Sequence, residues 1–183
     1  MTVWVALLRA VNVSGANILP MAGFRAMLTR IGLENPKTYI QSGNVVFRSG
    51  HAAPALAQQI ADGILAGFGF RPPVLIMTAA DLTRALVANP FPQAMAQPTH
   101  LHAFFMEKAL PDAGFAFLRA LASPTEHYAV RGKVLWLYLP DGLARSKLAR
   151  RVMALPVDIT ARNLRSVQAI ADLAQKLAQQ PET

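Results

Sequence analysis

The sequence predicts a mixed α+β protein made of two ferredoxin-like βαββαβ units and an additional C-terminal helix. Strand-like and helix-like segments follow one another in the order βαββαβ twice along the 183 residues. A segment rich in proline and glutamine, residues 91–99, separates the two series and has the composition of a linker. Because one element order repeats, we interpret the chain as an internal duplication. The predicted domains are residues 1–90, the linker 91–99, and residues 100–183.

The first unit opens with a strand at 3–8, whose apolar residues fall on both faces, as is typical of a strand covered on both sides. A helix at 20–31 follows, because its apolar side chains recur at helical spacing. Pro20 suits the first turn of this helix, and Gly32 suits its C-cap. The remaining elements are the hairpin strands at 38–41 and 45–48, a helix at 53–65 and a strand at 73–77.

Thr78 and Asp81 form the pattern of a capping box, which predicts a short helix ending before Asn89-Pro90. The second unit then repeats the element order of the first. Its elements are a strand at 102–106, a helix at 114–121, strands at 127–130 and 134–139, a helix at 143–155 and a strand at 157–160. A final helix at 164–177 carries its apolar side chains along one face.

Composition restricts the class of protein. Hydrophobic residues make up 53% of the chain and charged residues 15%, and no apolar run reaches the roughly 20 residues that a membrane span needs. We therefore expect a soluble, cytoplasmic protein without a membrane partner. The absence of cysteine excludes disulfides and thiolate catalysis. The four histidines have no metal-ligand spacing, and no cofactor motif is present, so the sequence predicts neither a metal nor a cofactor.

Basic residues are in excess, and the excess is uneven. The formal net charge is +8, and residues 131–165 contain eight Lys or Arg against two Asp. This distribution predicts an anionic partner, either a small phosphorylated molecule such as a nucleotide or weakly bound nucleic acid. The alternative is a solvated basic face that keeps the protein soluble.

Polar side chains are concentrated in the loop after the first strand and in the first hairpin. Right-handed crossovers place this loop and this hairpin at the same end of the sheet. Their donors and glycines suit a phosphate or carboxylate ligand. The candidate ligand-binding residues are Arg9, Asn12, Gln41, Ser42 and Asn44. The alternative is that Ser-Gly-Asn only forms a tight hairpin and that Asn12 only satisfies a turn.

A second candidate anion site is predicted in the second unit, where two strands deliver their C-terminal ends to the side at which helix 143–155 begins. The candidate residues are Ser146, Lys147, Thr160, Arg162 and Asn163, with Asp141 beside them. Lys147 offers a point charge, and Arg162 offers a planar guanidinium for bidentate contact. The alternatives are that Asp141 caps a helix, that Asn163 N-caps the last helix, and that Arg162 is an exposed arginine.

Five motifs occur in order along the chain: LLRAVNVSG at 7–15, QSGN at 41–44, NPF at 89–91, SKL at 146–148 and TARN at 160–163. With these motifs the chain resembles domain-of-unknown-function family 1697. The resemblance implies a duplicated α+β architecture and brings no catalytic role. The positions that match the family pattern are Arg9, Asn12, Gly15, Gln41, Ser42, Gly43, Asn44, Ser146, Lys147, Thr160, Arg162 and Asn163. The chain departs from the pattern at Ala10 and Ser14, where glycine is typical.

The function predicted from the sequence is the binding of a small anionic or phosphorylated, nucleotide-like ligand at a basic, donor-rich site. One alternative is an RNA-binding module, because segment 131–138 places Trp136 and Tyr138 on one face of a strand; in a packed pair of sheets these aromatics become core instead. Another alternative is an oligomeric interaction protein without catalysis. Whether the protein is an enzyme stays open, since no carboxylate pair or nucleophile motif indicates a reaction.

Overall fold

The structure, a computed structural model, describes residues 1–109, 112–155 and 157–181. Its two four-stranded antiparallel sheets and its helices confirm the mixed α+β class. The strands are β1 (Thr2–Leu8), β2 (Glu34–Tyr39), β3 (Asn44–Ser49), β4 (Val74–Thr78), β5 (Leu101–Met106), β6 (His127–Arg131), β7 (Val134–Tyr138) and β8 (Ile159–Asn163). The α-helices are α1 (Met21–Arg30), α2 (Ala53–Phe68), α3 (Ala79–Val87), α4 (Lys147–Met153) and α5 (Leu164–Gln179).

Both sheets have the same strand order, which is β2-β3-β1-β4 in the first and β6-β7-β5-β8 in the second. Because β1 lies between β3 and β4 and is antiparallel to both, its C-terminal end lies beside their N-terminal ends. Leu7 pairs with Asn44 at the start of β3. Leu8 pairs with Val74 at the start of β4. The loop that follows β1 therefore leaves the sheet beside the β2–β3 hairpin.

One face of the first sheet is covered by α1 and α2. The buried side chains of this layer include Phe24, Met27, Phe47, Ile60 and Ile64. On each helix the buried residues recur three or four positions apart, which is the spacing that places them on one face. Each large apolar side chain buried in this way stabilises the fold by about 1.5–3 kcal/mol.

The chain folds into two compact units that are not sequential halves. The first unit contains residues 1–83 and also the chain from Ala169 onward, whereas the second contains Arg84–Gln168. Within the first unit, the α5 residues Ile170, Ala174 and Leu177 are buried. The division predicted from the sequence had placed the whole C-terminal helix with residues 100–183. Contacts assign most of α5 to the first unit instead.

In the second unit, α4 and the 3₁₀ helix Asp112–Ala120 cover one face of the second sheet. The buried side chains of this layer include Phe104, Phe115, Leu118, Leu135, Leu148 and Val152. On the opposite face of the sheet, Trp136 is fully buried and Tyr138 is half-buried. The two strand aromatics therefore do not form an open stacking platform.

Several local elements differ from the sequence predictions. The strand predicted at 38–41 is β2 at Glu34–Tyr39, and the strand predicted at 157–160 is β8 at Ile159–Asn163. The predicted helix at 114–121 is a 3₁₀ helix over Asp112–Ala120. The predicted helix at 143–155 is confined to α4, because Ser146 Oγ accepts a hydrogen bond from Ala149 N at 2.9 Å and so caps the helix. The predicted linker contains a 3₁₀ helix, Pro92–Ala96.

The capping box at the start of α3 is confirmed. Thr78 N donates to Asp81 Oδ2 at 3.1 Å, and Asp81 N donates to Thr78 Oγ1 at 3.0 Å. In the described ranges, no helix is both long enough and apolar enough to cross a membrane.

Candidate functional site

The loop after β1 and the β2–β3 hairpin form one continuous surface, the first-unit rim, which comprises residues 9–19 and 40–43. Leu8 N donates to Gly43 O at 2.8 Å, and Asn12 Nδ2 donates to Gln41 O at 2.8 Å. A Cβ atom at Gly43 would lie 2.6 Å from Leu8 Cβ and 2.7 Å from Val11 Cγ2, so only glycine fits this contact. The structure thus brings loop and hairpin together, as the sheet topology predicted.

Three asparagines hold the rim in its conformation. Asn12 Oδ1 accepts from Leu19 N at 2.8 Å, and Asn12 Nδ2 also donates to Leu19 O at 3.1 Å. Asn17 Nδ2 donates to Ala10 O at 2.8 Å. The buried Asn44 donates through Nδ2 to Tyr39 O at 3.1 Å and to Ser42 Oγ at 2.8 Å. These amides are engaged within the protein, as in the turn-forming alternative considered for Asn12 and Asn44.

The backbone of the rim is unusually rich in left-handed residues. They are Ala10 (φ 56°), Asn12 (53°), Ser14 (51°), Gly15 (78°), Asn17 (51°), Ile40 (47°) and Gly43 (71°). These are seven of the twelve residues with positive φ in the described ranges. A β-branched residue such as Ile40 is an outlier in this region because its Cβ crowds the following carbonyl. The rim therefore stores backbone strain that the surrounding hydrogen bonds maintain.

The side chains of the rim combine polar and apolar groups at the surface. Ser14 and Gln41 are exposed, whereas Arg9 and Ser42 are half-buried. Three large apolar side chains also face solvent: Val13 and Ile18 are each 57% exposed, and Ile40 is 52% exposed. The rim thus offers a guanidinium and neutral hydrogen-bonding groups beside apolar surface, which suits an anion that carries an apolar portion.

The second predicted cluster is not assembled in the structure. Ile159 and Ala161 of β8 pack in the layer that contains the buried side of α4. Because successive side chains of a strand point to opposite faces, Thr160 and Arg162 lie on the other face of the sheet. The predicted convergence of Arg162 with Lys147, which is exposed on α4, is therefore wrong. The sequence showed where these strands end, but not which face each side chain would occupy.

Ser146 and Asn163 both cap helices. Ser146 is buried and caps α4, and Asn163 Oδ1 accepts from Ser166 N at 2.9 Å in the first turn of α5. The sequence had raised the capping role of Asn163 as an alternative to ligand binding. The Asp141 carboxylate, which the sequence considered as a possible cap, accepts from Thr125 Oγ1 at 3.2 Å.

Arg162 is a half-buried cation of the second sheet. Its Nη1 donates to Thr160 Oγ1 at 3.1 Å and to Ala161 O at 2.7 Å. Burial lowers the pKa of its guanidinium to about 10, because a desolvated cation is less stable than a hydrated one. Arg162 is therefore neither an exposed arginine nor a member of a joint site with Lys147.

A comparison with protein-family models matches residues 1–136 to a family described as Protein of unknown function (DUF1697). The chain belongs to this family. The resemblance predicted from its motifs is confirmed over this span. The matched span contains the entire first-unit rim and ends before Ser146, so the rim is the candidate site that the family model covers.

Among solved structures, the chain is similar to one described as the structure of conserved bacterial protein SP0830 from Streptococcus pneumoniae. The TM-score is 0.75 and the sequence identity 22%, over 94% of this chain and 98% of that chain. At this identity the similarity shows a shared fold. The search of curated proteins gave no match.

The structure of this DUF1697 protein also contains an aromatic cluster that was not predicted from the sequence. The ring of Tyr138 has three neighbours with centroids at 6.3–6.5 Å, namely Phe91, His100 and His127. Asn89 Oδ1 accepts from Phe91 N at 2.9 Å, and this turn holds the Asn-Pro-Phe motif. The motif itself was the available signal, since it places an aromatic residue directly after a rigid turn.

The described ranges contain no cluster of side chains suited to binding a metal ion. No group of three or more His, Asp or Glu side chains there is placed to hold a metal ion. His102 is buried, and burial lowers the pKa of its imidazole because the charged form is desolvated. This imidazole is one of the buried side chains of β5.

Proposed function

We propose that this DUF1697-family protein binds a small anionic ligand, bearing a phosphate or carboxylate group, at the first-unit rim. The observation that carries the proposal is the concentration of seven left-handed residues in residues 9–19 and 40–43. Five of these seven are not glycine, and a left-handed residue other than glycine costs roughly 1–3 kcal/mol and is typical of ligand clamps and active sites. Asn12, Asn17 and Asn44 hold this strained backbone in place, and ligand binding would account for it.

The chemistry of the rim supports an anion as the ligand. Arg9 supplies a guanidinium that can contact phosphate or carboxylate bidentately. Gln41 and Ser42 supply neutral hydrogen-bonding groups from the hairpin, whose backbone accepts from Leu8 N and Asn12 Nδ2 of the β1 end and its loop. Asn12 and Asn44, which were predicted as ligand groups, instead position the backbone around them. The proposed site excludes Ser146, Lys147, Thr160, Arg162 and Asn163 and carries no proposed reaction.

We also propose that the two units are copies of one ferredoxin-like unit. Equal strand orders support this, as do two equivalent main-chain bonds, Leu8 N to Gly43 O at 2.8 Å and Met106 N to Lys133 O at 2.9 Å. In each unit two helices cover one face of the sheet. A crystal structure in which the two units cannot be superposed over their four strands and two helices would refute the duplication.

The sharpest test of the rim is a melting-temperature titration with inorganic phosphate, pyrophosphate, AMP and ATP. A ligand that binds only the native state stabilises it by about 2.7 kcal/mol at 100 times its Kd. We expect at least one of these anions to raise the melting temperature of the wild type. Arg9→Ala should abolish the shift, and Arg9→Lys should restore part of it, because an ammonium cannot reproduce bidentate contact.

Two variants serve as controls for this titration. Arg30→Ala removes an exposed arginine of the same unit, and Arg162→Ala removes the half-buried arginine of the second sheet. Both should retain the wild-type shift. An equal shift in Arg9→Ala would overturn the rim as the anion site, and a loss confined to Arg162→Ala would move the site to the second sheet.

A further inference from the structure

The positive charge of the protein is concentrated in the second unit. Arg84–Gln168 contains eleven Lys or Arg against five Asp or Glu, so it carries +6 of the formal net charge of +8. The rest of the chain contains seven basic and five acidic residues. An uneven distribution of this kind creates a positive potential on one part of the surface.

Within this unit, the surface of α4 and its flanking residues collects much of the charge. The buried side of α4 consists of Leu148, Ala149 and Val152. Because these residues occupy the inner face of the helix, its cations lie on the outer face. The exposed cations are Arg145, Lys147, Arg150 and Arg151, with Arg119 on the adjacent 3₁₀ helix. We call these five side chains the α4 basic surface.

An exposed aromatic ring is part of the same surface. The guanidinium carbon of Arg151 lies 5.4 Å from the centroid of the Phe117 ring, and Phe117 is 37% exposed. This cation–π contact holds the guanidinium against the 3₁₀ helix and joins the two elements. In the part of the chain that the structure describes, none of the five cations forms an ion pair with a carboxylate.

We propose that the α4 basic surface binds single-stranded nucleic acid through its phosphate backbone. Phosphates provide the repeated negative charge that complements a cluster of cations on and beside one short helix. A guanidinium plane held on an aromatic ring adds a surface on which an unpaired base can stack. A membrane fits less well, because the apolar side of α4 is fully buried in the core and cannot enter a bilayer.

The test is fluorescence anisotropy with a labelled oligouridylate of about 20 nucleotides, titrated at several salt concentrations between about 50 and 200 mM. With five cations on phosphates, the slope of log K against log salt is expected near −3.5, since each contact on a single strand contributes about 0.7. The double variant Arg150→Ala/Arg151→Ala should weaken binding roughly 20-fold at 0.1 M salt and reduce the slope by about 1.4.

A matched control is available in the first unit. Arg150 and Arg151 are last-turn cations of a helix, and so are Arg30 of α1 and Lys176 of α5, both of which are exposed. The double variant Arg30→Ala/Lys176→Ala therefore removes the same charge and the same helix-dipole interactions. It should bind within about twofold of wild type with an unchanged slope, if the α4 basic surface is the site.

Phe117→Leu tests the aromatic part of the surface separately. It keeps apolar bulk but removes the ring that orients Arg151, so binding should weaken about two- to fivefold with an unchanged salt slope.

Three outcomes would overturn the proposal: no binding by the wild type, equal losses in both double variants, or binding to phosphatidylserine vesicles without binding to the oligonucleotide. The last outcome would assign the surface to a membrane. Because this surface and the first-unit rim share no residue, either proposal can fail alone.

Discussion

Two residues of the rim adopt a backbone conformation that favours glycine. Ala10 and Ser14, where the resemblance noted from the sequence implies glycine, both have positive φ, 56° and 51°. Glycine occupies this region without the clash of a Cβ atom, whereas other residues adopt it at a cost of about 1–2 kcal/mol. The loop is therefore left-handed at two positions where alanine and serine adopt this conformation less readily than glycine.

We accordingly predict that Ala10→Gly and Ser14→Gly each stabilise the protein by about 0.5–1 kcal/mol. Glycine relieves the backbone strain, and its greater conformational entropy in the unfolded chain offsets part of that gain. Urea denaturation measures the difference in unfolding free energy. The control is Ala16→Gly, in the same loop but outside the left-handed region, which should destabilise by a similar amount. Stabilisation of all three variants would contradict the conformational explanation.

At the scale of elements, the contact of the hairpin with the loop after β1 depends on a single glycine. Gly43 has φ 71°, and a Cβ atom there would meet Leu8 and Val11 at distances that real Cβ contacts do not show. Strand pairing places the hairpin beside the loop, and the close approach of Gly43 to Leu8 and Val11 joins them into one rim. The element order alone predicts the proximity, and the absence of a side chain at Gly43 makes the contact possible.

Gly43→Ala should destabilise the protein by about 2–4 kcal/mol, because it adds overpacking to the cost of a left-handed alanine. Gly15→Ala separates the two effects, since Gly15 has φ 78° but open space around its Cβ position, and it should cost only about 1 kcal/mol. Gly50→Ala, in open space and outside the left-handed region, should be nearly neutral. Equal effects at Gly43 and Gly15 in urea denaturation would show that packing is not the cause.

At the scale of the whole molecule, a buried arginine connects β3 to the end of the chain. Arg48 is 2% exposed, and its Nη2 donates to Leu177 O at 2.6 Å and also to Ala178 O and Gln180 O. These carbonyls belong to the last turn of α5 and the residue after it, where a helix leaves carbonyls without their usual intrahelical donors. Leu177 O also accepts from Gln180 N at 3.1 Å. Arg48 thus caps the C-terminal end of a helix that begins in the second unit and ends in the first.

We predict that Arg48→Met increases the amide hydrogen-exchange rates of the last turn of α5 at least tenfold. Hydrogen bonds from a charged donor contribute about 1.5–3 kcal/mol. Losing about 1.4 kcal/mol of this stabilisation corresponds to a tenfold faster exchange. Arg25→Met is the comparison, because Arg25 also lies in the first unit and donates locally to Thr38 Oγ1 at 2.7 Å. Unchanged exchange in Arg48→Met, or an equal increase in Arg25→Met, would show that the cap does not hold α5.

Much of the fold and part of the site follow from the sequence alone. Periodicity, turn residues and the capping box at Thr78 and Asp81 act over a few residues, so they predicted the order of the strands and most helices. The alternation of strands and crossovers also predicted that the loop after β1 meets the first hairpin. These features are determined locally or by the handedness of connections, and the sequence contains that information directly.

Only the tertiary structure decided the rest, because those features depend on partners that are distant along the chain. The face occupied by Arg162 depends on which side of β8 is covered by α4. Most of α5 belongs to the first unit through contacts with residues far away along the chain, such as the bond to Leu177 O from Arg48, 129 residues earlier. The left-handed φ values of Ala10 and Ser14 occur in a loop that Asn12 joins to Gln41 O, 29 residues away along the chain. Local propensity is too weak to predict a conformation that long-range contacts impose.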